Sequence, residues 1–597
     1  MIIIDRLTRL RAEMKKRNIA IYIVPTADPH GSEYVGVHFK SREFITGFTG
    51  SAGTAVITMT EAGLWTDGRY FVQAAQQLQG TTIELRKMGQ EGVPTIDEYL
   101  RQTLKEGEIL GFDGKMVSGK RGESFEKIAQ EKNGSLYVTE DLMDLIWEDR
   151  PEISKEPVRI FDMKYTGKDT SDKLADVRKT MVKKNADVHL ISSLYDIAWL
   201  LNVRGGDILH VPVVLSFLSI TRGTCTWYLQ EELITEEIKR YLSQHEIQTK
   251  PYDSFYDDVK TIPTNQKVLM DRSVVNYRIC NDIPTGVEVI NAPDPSTQMK
   301  AIKNEVEQEN TRQAHIKDAI AMIHFMYWLK TNVGKIPMTE LSAADHLAHL
   351  RADQEGFLDL SFDTICGYAD HGAIVHYSAT PESDVELKPE GFLLVDSGGH
   401  YMEGTTDITR TFALGPITDE MKADFTRVFR AHTNLANARF LHGCTGFNLD
   451  ILARAPFWEA GLDYNHGTGH GVGYVLNVHE GPNAFRWKQS PGRSEGTVLE
   501  EGMITTDEPG IYLEGKYGIR TENELICRKG EKNEYGQFMY FENITYVPID
   551  LDAIAPEQLT SVERKHLNDY HAMVYEKMSP YFEGEEQEFL KKYTREV

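Results

Sequence analysis

Two aspartates at the end of a predicted strand are the first candidates for chemistry in this 597-residue chain. Asp396 follows the apolar run 391–395, and Asp407 comes eleven residues later, in the β-prone stretch 405–411. If a hairpin turns near Met402, the two carboxylates lie opposite each other, within ~5 Å. Carboxylates that close repel unless a proton or a cation lies between them. The pair predicts a cation site, with surface acids on a hairpin as the alternative.

Histidines follow in a glycine-rich stretch, His466-Gly-Thr-Gly-His470-Gly-Val-Gly473. Four glycines in eight residues disfavour a helix, and no Glu follows His466, so a helical zinc motif is rejected. Glycines on both sides of a histidine indicate a backbone that approaches a ligand or an ion closely. His479, in Val478-His-Glu-Gly-Pro482, is a further polar candidate.

More carboxylates come next in the chain. Pro509 holds the preceding Glu508 extended and out of a helix. In a strand, Arg520, Glu522 and Glu524 share one face, either toward the site or as an exposed salt-bridged surface. The spacing leaves open which of the two glutamates faces the site.

Together these residues predict a hydrolytic metal centre. Three of the carboxylates, one of the two later glutamates and one imidazole form an oxygen-rich set whose formal charge of about -4 two divalent cations would neutralise. Oxygen donors with one nitrogen favour manganese-like ions over thiolate-bound structural zinc. Two such ions ~3.5–4 Å apart can bridge a hydroxide at neutral pH, which indicates hydrolysis.

The elements that would position this site begin with a repeat. Apolar residues at helical spacing in 7–18 precede the strand-like run 19–24, and the same pattern recurs 167 residues later in 174–185 and 186–191. The recurrence predicts a duplicated α/β domain. Prolines at 151 and 157, and at 293 and 295, indicate linkers. We therefore expect domains at 1–156, 157–298 and 299–550, with a C-terminal extension, 551–597, that docks on the third domain.

The composition and the apolar runs of the sequence limit the classes of partner and the cellular locations to be expected. Subtracting 90 acidic from 65 basic residues leaves a net charge of -25, which disfavours nucleic acid and anionic membranes as partners. The first residues lack the ~7–15 apolar positions of a signal peptide, and the longest apolar run, 319–329, is too short to span a bilayer. Five scattered cysteines suit a reducing compartment. We expect a soluble, cytoplasmic protein.

The motifs together resemble the aminopeptidase P family (Xaa-Pro aminopeptidases), in particular its long, three-domain cytosolic form, and more broadly the pita-bread metallopeptidases. The matching motifs are 47–55, 64–74, Gly372-Ala-Ile-Val-His376-Tyr, Asp396-Ser-Gly, 404–411, 466–473, 477–482, Thr506-Asp-Glu-Pro-Gly and 518–523. The resemblance implies an α/β (α+β) fold, with two related creatinase-like N-terminal domains followed by a pita-bread catalytic domain. It also implies that the N-terminal pair restricts access to the site and helps to form a homodimer.

The resemblance also implies a role for each site residue. It places the metal ligands at Asp396, Asp407, His470, Glu508 and Glu522, and so selects Glu522 over Glu524. The implied cofactor is two divalent ions, most often Mn²⁺, with Zn²⁺ or Co²⁺ as alternatives. The residues implied near the peptide are His376, His466, His479 and Arg520. Glu508 is the implied general base, and a metal-bridging hydroxide is expected to attack the N-terminal Xaa-Pro bond.

Two other functions are weighed against this one. A prolidase would share the ligands but accept only Xaa-Pro dipeptides, and the long three-domain build argues against it. A non-catalytic pita-bread binding module is disfavoured because all five ligands are present. His371 stands where the family leads us to expect a small polar residue, and is interpreted as an ordinary loop histidine.

Overall fold

The computed structural model describes residues 2–488 and 496–597. The chain divides into two compact units. The first comprises 1–163 and 168–297, and the second comprises 164–167 and 298–597.

The first unit contains two six-stranded sheets of the same topology. The strands of the first sheet are β1 (Ile19–Pro25), β2 (Thr54–Thr58), β3 (Ala62–Thr66), β4 (Glu84–Lys87), β5 (Ile109–Phe112) and β6 (Ser135–Tyr137). The next strands are β7 (Arg159–Ile160), β8 (Val188–Ile191), β9 (Val203–Arg204), β10 (Phe217–Thr221), β11 (Cys225–Leu229), β12 (Ile247–Pro251), β13 (Lys267–Met270) and β14 (Glu288–Asn291). The sheet orders are β4-β3-β2-β1-β5-β6 and β12-β11-β10-β8-β13-β14, while β7 and β9 pair separately. Because β1 and β8 each pair antiparallel on one side and parallel on the other, the predicted duplication is confirmed.

Helices flank both sheets. They are α1 (Ile2–Lys16), α2 (Ser41–Thr46), α3 (Phe71–Gln77), α4 (Ile96–Thr103), α5 (Gly119–Glu131), α7 (Thr170–Lys183), α8 (Leu194–Leu200), α9 (Glu236–Gln244), α10 (Ser254–Lys260) and α11 (Tyr277–Asp282). Two further helices, α6 (Met163–Thr166) and α12 (Pro295–Ala301), each cross a limit between the two units along the chain. Helix α1 buries Leu7, Leu10 and Met14, the apolar stripe that its sequence spacing predicts. Asn18 and Asn185 both adopt a left-handed backbone, with φ of 58° and 56°, so α1 and α7 end in the same way.

The second unit begins with two helices, α13 (Glu305–Asn332) and α14 (Glu340–Ala352). Its strands are β15 (Phe357–Leu360), β16 (Ile365–Tyr368), β17 (Phe392–Ser397), β18 (Gly399–Tyr401), β19 (Gly404–Thr405), β20 (Ile408–Ala413), β21 (Arg439–Leu441), β22 (Gly469–His470), β23 (Ala484–Phe485), β24 (Ile504–Asp507), β25 (Gly510–Leu513), β26 (Tyr517–Arg520), β27 (Asn523–Asn533) and β28 (Gly536–Asn543). Its remaining helices are α15 (Asp419–Ala436), α16 (Gly446–Trp458), α17 (Ser561–Met578) and α18 (Gly584–Tyr593).

The last two helices complete a core of the second unit. Val574 and Met578 of α17 and Leu590 of α18 lie in one buried cluster with Met322 and Phe325 of α13. Arg430 of α15 also donates to Glu563 at 2.8 Å. Across the described parts of the chain, the structure contains no helix with the length and apolar character needed to cross a bilayer.

Candidate active site

Asp396 and Asp407 lie on one side of a three-stranded sheet, but they are not directly opposite each other. Strand β17 pairs with β20 so that Asp396 faces Thr409. Strands β18 and β19 then close a hairpin between Tyr401 and Gly404. The prediction of a hairpin near Met402 is confirmed, and the directly opposed pairing is wrong. Because the turn is centred one residue later than that pairing requires, Asp407 becomes the diagonal neighbour of Asp396.

Glycines bring the His470 loop against the end of β24. A Cβ on Gly469 would lie only 1.8 Å from the carbonyl oxygen of Thr506, and one on Gly471 would lie 2.1 Å from that of Glu480. These glycines permit a close approach to the chain's own backbone at Thr506 and Glu480, while the predicted approach to a ligand or an ion stays a prediction. The backbone N–H of His470 donates to Oγ1 of Thr506 at 3.0 Å, which carries the imidazole to the end of the strand that precedes Glu508.

Three of the other implied ligands converge around this imidazole. Nε2 of His470 lies 3.4 Å from Oδ2 of Asp407 and 3.6 Å from Oε1 of Glu508. The structure brings one potential ligand atom from each of three residues to within 4.8 Å of one another: Asp407, His470 and Glu522. Glu508 follows β24 and Glu522 follows β26, so the ends of two strands present their carboxylates to the same point.

The charge state of this cluster fits divalent cations. Burial, together with the neighbouring charge of Asp396, raises the pKa of Asp407 well above its usual range. Burial and the charge of Asp407 likewise raise the pKa of Glu522. Oδ1 of Asp396 is buried and has no hydrogen-bond partner among the described residues. Crowded carboxylates with an unsatisfied oxygen are the donor set that a hard cation stabilises.

Arg520 ties two of these carboxylates to the sheet. Its Nη2 donates to Oδ2 of Asp396 at 2.6 Å, and its Nε donates to Oγ1 of Thr409 at 3.1 Å. The hydroxyl of Thr409 in turn donates to Oε2 of Glu522 at 2.7 Å. Arg520 and Thr409 therefore fix the positions of Asp396 and Glu522 relative to each other.

A second chain of hydrogen bonds runs from Arg520 through Tyr512 to His466. Nη1 of Arg520 lies 2.8 Å from the hydroxyl oxygen of Tyr512, and that oxygen lies 2.8 Å from Nε2 of His466. Nδ1 of His466 is 2.7 Å from the carbonyl oxygen of Gly467. Since the guanidinium can only donate and the carbonyl can only accept, Tyr512 donates to Nε2 and the Nδ1 of His466 carries the proton. Burial and the charge of Arg520 lower the pKa of His466 to about 3, so this imidazole is neutral.

The other two predicted histidines lie at the same place. The ring of His479 stands perpendicular to that of His470, with 4.4 Å between the ring centroids. His376 follows Val375, whose carbonyl oxygen lies 3.5 Å from Nη2 of Arg520. The structure therefore brings together eight of the nine residues that the resemblance implies, and it places the backbone next to the ninth, His376, beside Arg520.

Several supporting residues were not predicted. Glu524, the rejected ligand candidate, accepts from the backbone N–H of Asp407 at 2.8 Å, and its other oxygen lies 3.2 Å from Nε2 of His315. It holds the backbone of a ligand residue from behind the site. Tyr512 and His315 lie outside all of the sequence motifs that indicated the site. Thr409 could have been found from the register of the hairpin, since it is the partner of Asp396.

Models of known protein families match successive parts of this chain, first in its N-terminal unit and then in its C-terminal unit. Residues 6–147 and 149–307 each match the model of the Creatinase/Prolidase N-terminal domain. Residues 309–529 match Metallopeptidase family M24, and residues 537–597 match the C-terminal region of peptidase M24. The predicted fold class, two related creatinase-like domains before a pita-bread catalytic domain, is confirmed.

Individual proteins match along nearly the whole chain. The chain is 38% identical to the probable Xaa-Pro aminopeptidase P of Botryotinia fuckeliana, covering 98% of this chain and 91% of that protein. It is also 38% identical to aminopeptidase P2 of Arabidopsis thaliana, covering 97% and 86%. The structure is similar to that of an X-prolyl aminopeptidase from Caenorhabditis elegans, described as a cytosolic enzyme with a di-nuclear active site. That match has a TM-score of 0.95 and 31% identity and covers 100% of both chains.

Proposed function

This chain belongs to the aminopeptidase P family of M24 metallopeptidases, and from that premise we propose how its residues divide the work. It is a metal-dependent aminopeptidase that hydrolyses the N-terminal Xaa-Pro bond of peptides. The observation that carries the assignment of its site is the buried convergence of Asp407, His470 and Glu522 beside Asp396 and Glu508.

The five converging residues are the ligands of two divalent cations. Support comes from the four carboxylates and single imidazole of the set, which favour Mn²⁺ over thiolate-bound zinc, with Zn²⁺ and Co²⁺ as alternatives. The related worm enzyme is described as having a di-nuclear active site. When bound, such a pair supplies Lewis acidity for activating water and polarising a peptide carbonyl.

Glu508 is the general base. Its carboxylate lies beside His470, and the residue stands in the connection between β24 and β25, where Pro509 keeps its backbone extended. It takes the proton that the attacking water releases and delivers it to the proline nitrogen as the bond breaks. No covalent intermediate is needed. Because that nitrogen carries no hydrogen in the substrate, recognition rests on the ring shape and the free amino terminus.

The three histidines and Arg520 bind the peptide around the scissile bond. His479 stands against the ligand His470, and His376 is next to a carbonyl that Arg520 reaches. His466 already accepts from Tyr512, so peptide contact at its Nε2 requires the tyrosine hydroxyl to give way. A neutral imidazole with a fixed tautomer is suited to that exchange, because no charge has to be desolvated.

Peptide length tests this function. The purified protein with manganese should release arginine from an Arg-Pro-Pro peptide, and cleavage of Xaa-Pro dipeptides alone would indicate a prolidase instead. E508Q should abolish turnover while circular dichroism shows an intact fold, and near-normal activity in E508Q would remove Glu508 from the base role. Absence of bound metal after manganese loading would revive the non-catalytic binding module.

A homodimer is the proposed assembly. Helix α16 leaves Phe447, Ile451 and Trp458 exposed by 45%, 42% and 40% on one face, and an apolar row of this kind is typical of protein interfaces. Analytical ultracentrifugation should give the mass of two chains, and a W458E variant should sediment as one chain.

Cytoplasmic location and the domain limits complete the proposal. All five cysteines are free, as in a reducing compartment, and the related worm enzyme is described as cytosolic.

Limits at 156, 298 and 550 would separate the two creatinase-like domains, the catalytic domain and the extension 551–597. Limited proteolysis should cut first at these limits.

A further inference from the structure

One buried carboxylate collects hydrogen bonds from the segment that carries His376. Glu340, the first residue of α14, is fully buried. It accepts from the backbone N–H of Tyr368 at 2.7 Å and from the hydroxyl of Tyr377 at 2.8 Å. Nδ1 of His371 lies 2.9 and 3.0 Å from its two oxygens. The three donors span residues 368–377, which include His376.

The same segment is fixed on its other side by a backbone contact. Residues Ala369–Ala373 form a 3₁₀ turn, and a Cβ on Gly518 would lie 1.7 Å from the carbonyl oxygen of Gly372. Gly518 lies in β26, two residues before Arg520. The segment therefore lies between the Glu340 carboxylate and the strand that carries Arg520, so a shift at either contact moves His376 relative to the site.

His371 is the one donor among the three that could be exchanged with little cost to the fold. Its side chain is 23% exposed, whereas the hydroxyl of Tyr377 is held in the interior against both Glu340 and Ser383. The rings of His371 and Tyr377 lie 4.6 Å apart at 33°, so the histidine also packs against the residue next to His376. Removing the imidazole takes away one hydrogen bond and one ring contact, and leaves Glu340 with two donors.

We propose that His371, acting through Glu340 and Tyr377, is a positioning residue that sets the place of His376 for peptide binding. This inference rests on the proposed contact of His376 with the peptide. It gives a role to a histidine that the sequence marks only as unexpected. Because His376 would bind the peptide in the ground state and in the transition state alike, misplacing it raises KM more than it lowers kcat.

The test compares three variants by steady-state kinetics on an Xaa-Pro tripeptide, together with thermal unfolding. H371A should raise KM about 10-fold with kcat within about twofold, less than the ~100-fold that a 1 Å misplacement can cost. H371N should restore KM to within about twofold of the original, because the Asn amide can donate to Glu340 from the position of Nδ1. The matched control H349A removes a histidine of α14 whose Nδ1 bonds, among the described residues, to the backbone of Asp345 in its own helix, and it should change neither constant.

The outcomes separate this proposal from the proposed function. Unchanged KM in H371A, or a fall in kcat alone, would overturn the positioning role. A raised KM that H371N fails to restore would overturn it as well, since the hydrogen bond to Glu340 would not be the cause. If H376A leaves KM unchanged, the proposed peptide contact of His376 is what fails. The double variant H371A/Y377F should raise KM by less than the product of the two single effects, because both residues act on one carboxylate.

Discussion

Arg520 donates to one oxygen of Asp396 at 2.6 Å, while the other oxygen of that carboxylate is buried and lacks a hydrogen-bond partner in the described part of the chain. The arginine therefore occupies Oδ2 and leaves Oδ1 available to a cation. An aspartate held in this way is presented to a cation in a single orientation, which is what a preorganised ligand requires.

Removing the guanidinium should damage catalysis severely. R520M should lower kcat/KM by ~100-fold or more, because Asp396, Thr409 and Tyr512 all lose their donor. Steady-state kinetics would measure the effect, with bound metal counted in the same samples. K516M is the control, since Lys516 lies exposed on the same hairpin and forms a surface ion pair with Glu420. Equal activity in R520M and K516M would contradict the role of Arg520.

The two neighbouring glutamates should behave differently toward metal. E522Q should bind fewer than the two equivalents of Mn²⁺ expected for the original chain, because one charged ligand is lost. E524Q should keep both equivalents, since Glu524 contacts the backbone of Asp407 and the ring of His315. Elemental analysis after dialysis would decide between them. Loss of metal in E524Q but not in E522Q would reverse the ligand assignment.

Chelation should destabilise the protein as well as inactivate it. The crowded carboxylates that raise the pKa of Asp407 and Glu522 repel each other without a cation. A cation at ~100 times its Kd contributes ~2.7 kcal/mol to stability. Differential scanning calorimetry should therefore show a lower Tm after chelation, restored by Mn²⁺. The E522Q variant should show a smaller rise on adding Mn²⁺, and an equal rise would count against a cation at Glu522.

A buried ion pair behind the histidine loop should be costly to break. Nζ of Lys303 lies 2.7 Å from Oε1 of Glu480, and both side chains are almost fully buried. The backbone N–H of Glu480 also donates to the carbonyl of Gly471, next to the ligand His470. K303M should destabilise the protein by less than the ~3–5 kcal/mol of a fully unpaired buried charge, because Nζ of Lys300 still lies 3.7 Å from Oε2 of Glu480. The double variant K303M/E480Q should recover part of that loss in denaturant unfolding, and a double variant less stable than K303M would contradict this account.

Acid should weaken the fold through His571. Burial, with the charges of Arg410 and Arg595, lowers the pKa of His571 to about 3, against ~6.5 in an unfolded chain. Between those values the unfolded state binds a proton that the folded state excludes. The contribution of His571 is therefore fully present above pH ~6.5 and is lost as the pH falls below it. In H571Q, a Gln oxygen can take over the hydrogen bond from Ile549 N–H, so its Tm should fall less between about pH 7.5 and 5. An equal fall in both proteins would contradict this source of acid sensitivity.

Much of the fold could be predicted because the sequence pattern is local. The helix–strand repeat follows from apolar spacing within each copy, and the turn near Met402 follows from two strand-like runs. The register that makes Thr409 the partner of Asp396 depends on a shift of one residue in the turn, which spacing does not define. The roles of Tyr512 and Glu340 could not be predicted from the sequence, because each residue acts through contacts with residues distant in sequence. Their chemistry appears only once the strands and helices have packed.

The burial of the last two helices against α13 has a consequence for synthesis of the protein on the ribosome. Leu590 and Tyr593 belong to the same buried cluster as Met322 and Phe325, so residues of the last helix complete a core that begins about 270 positions earlier. At ~5–20 residues per second, translation of those positions takes roughly 14–54 s. During that interval the nascent chain carries its metal ligands without the apolar cover of its last two helices. A chain that stops within this helix would thus lack the buried contacts of Leu590 and Tyr593 with α13.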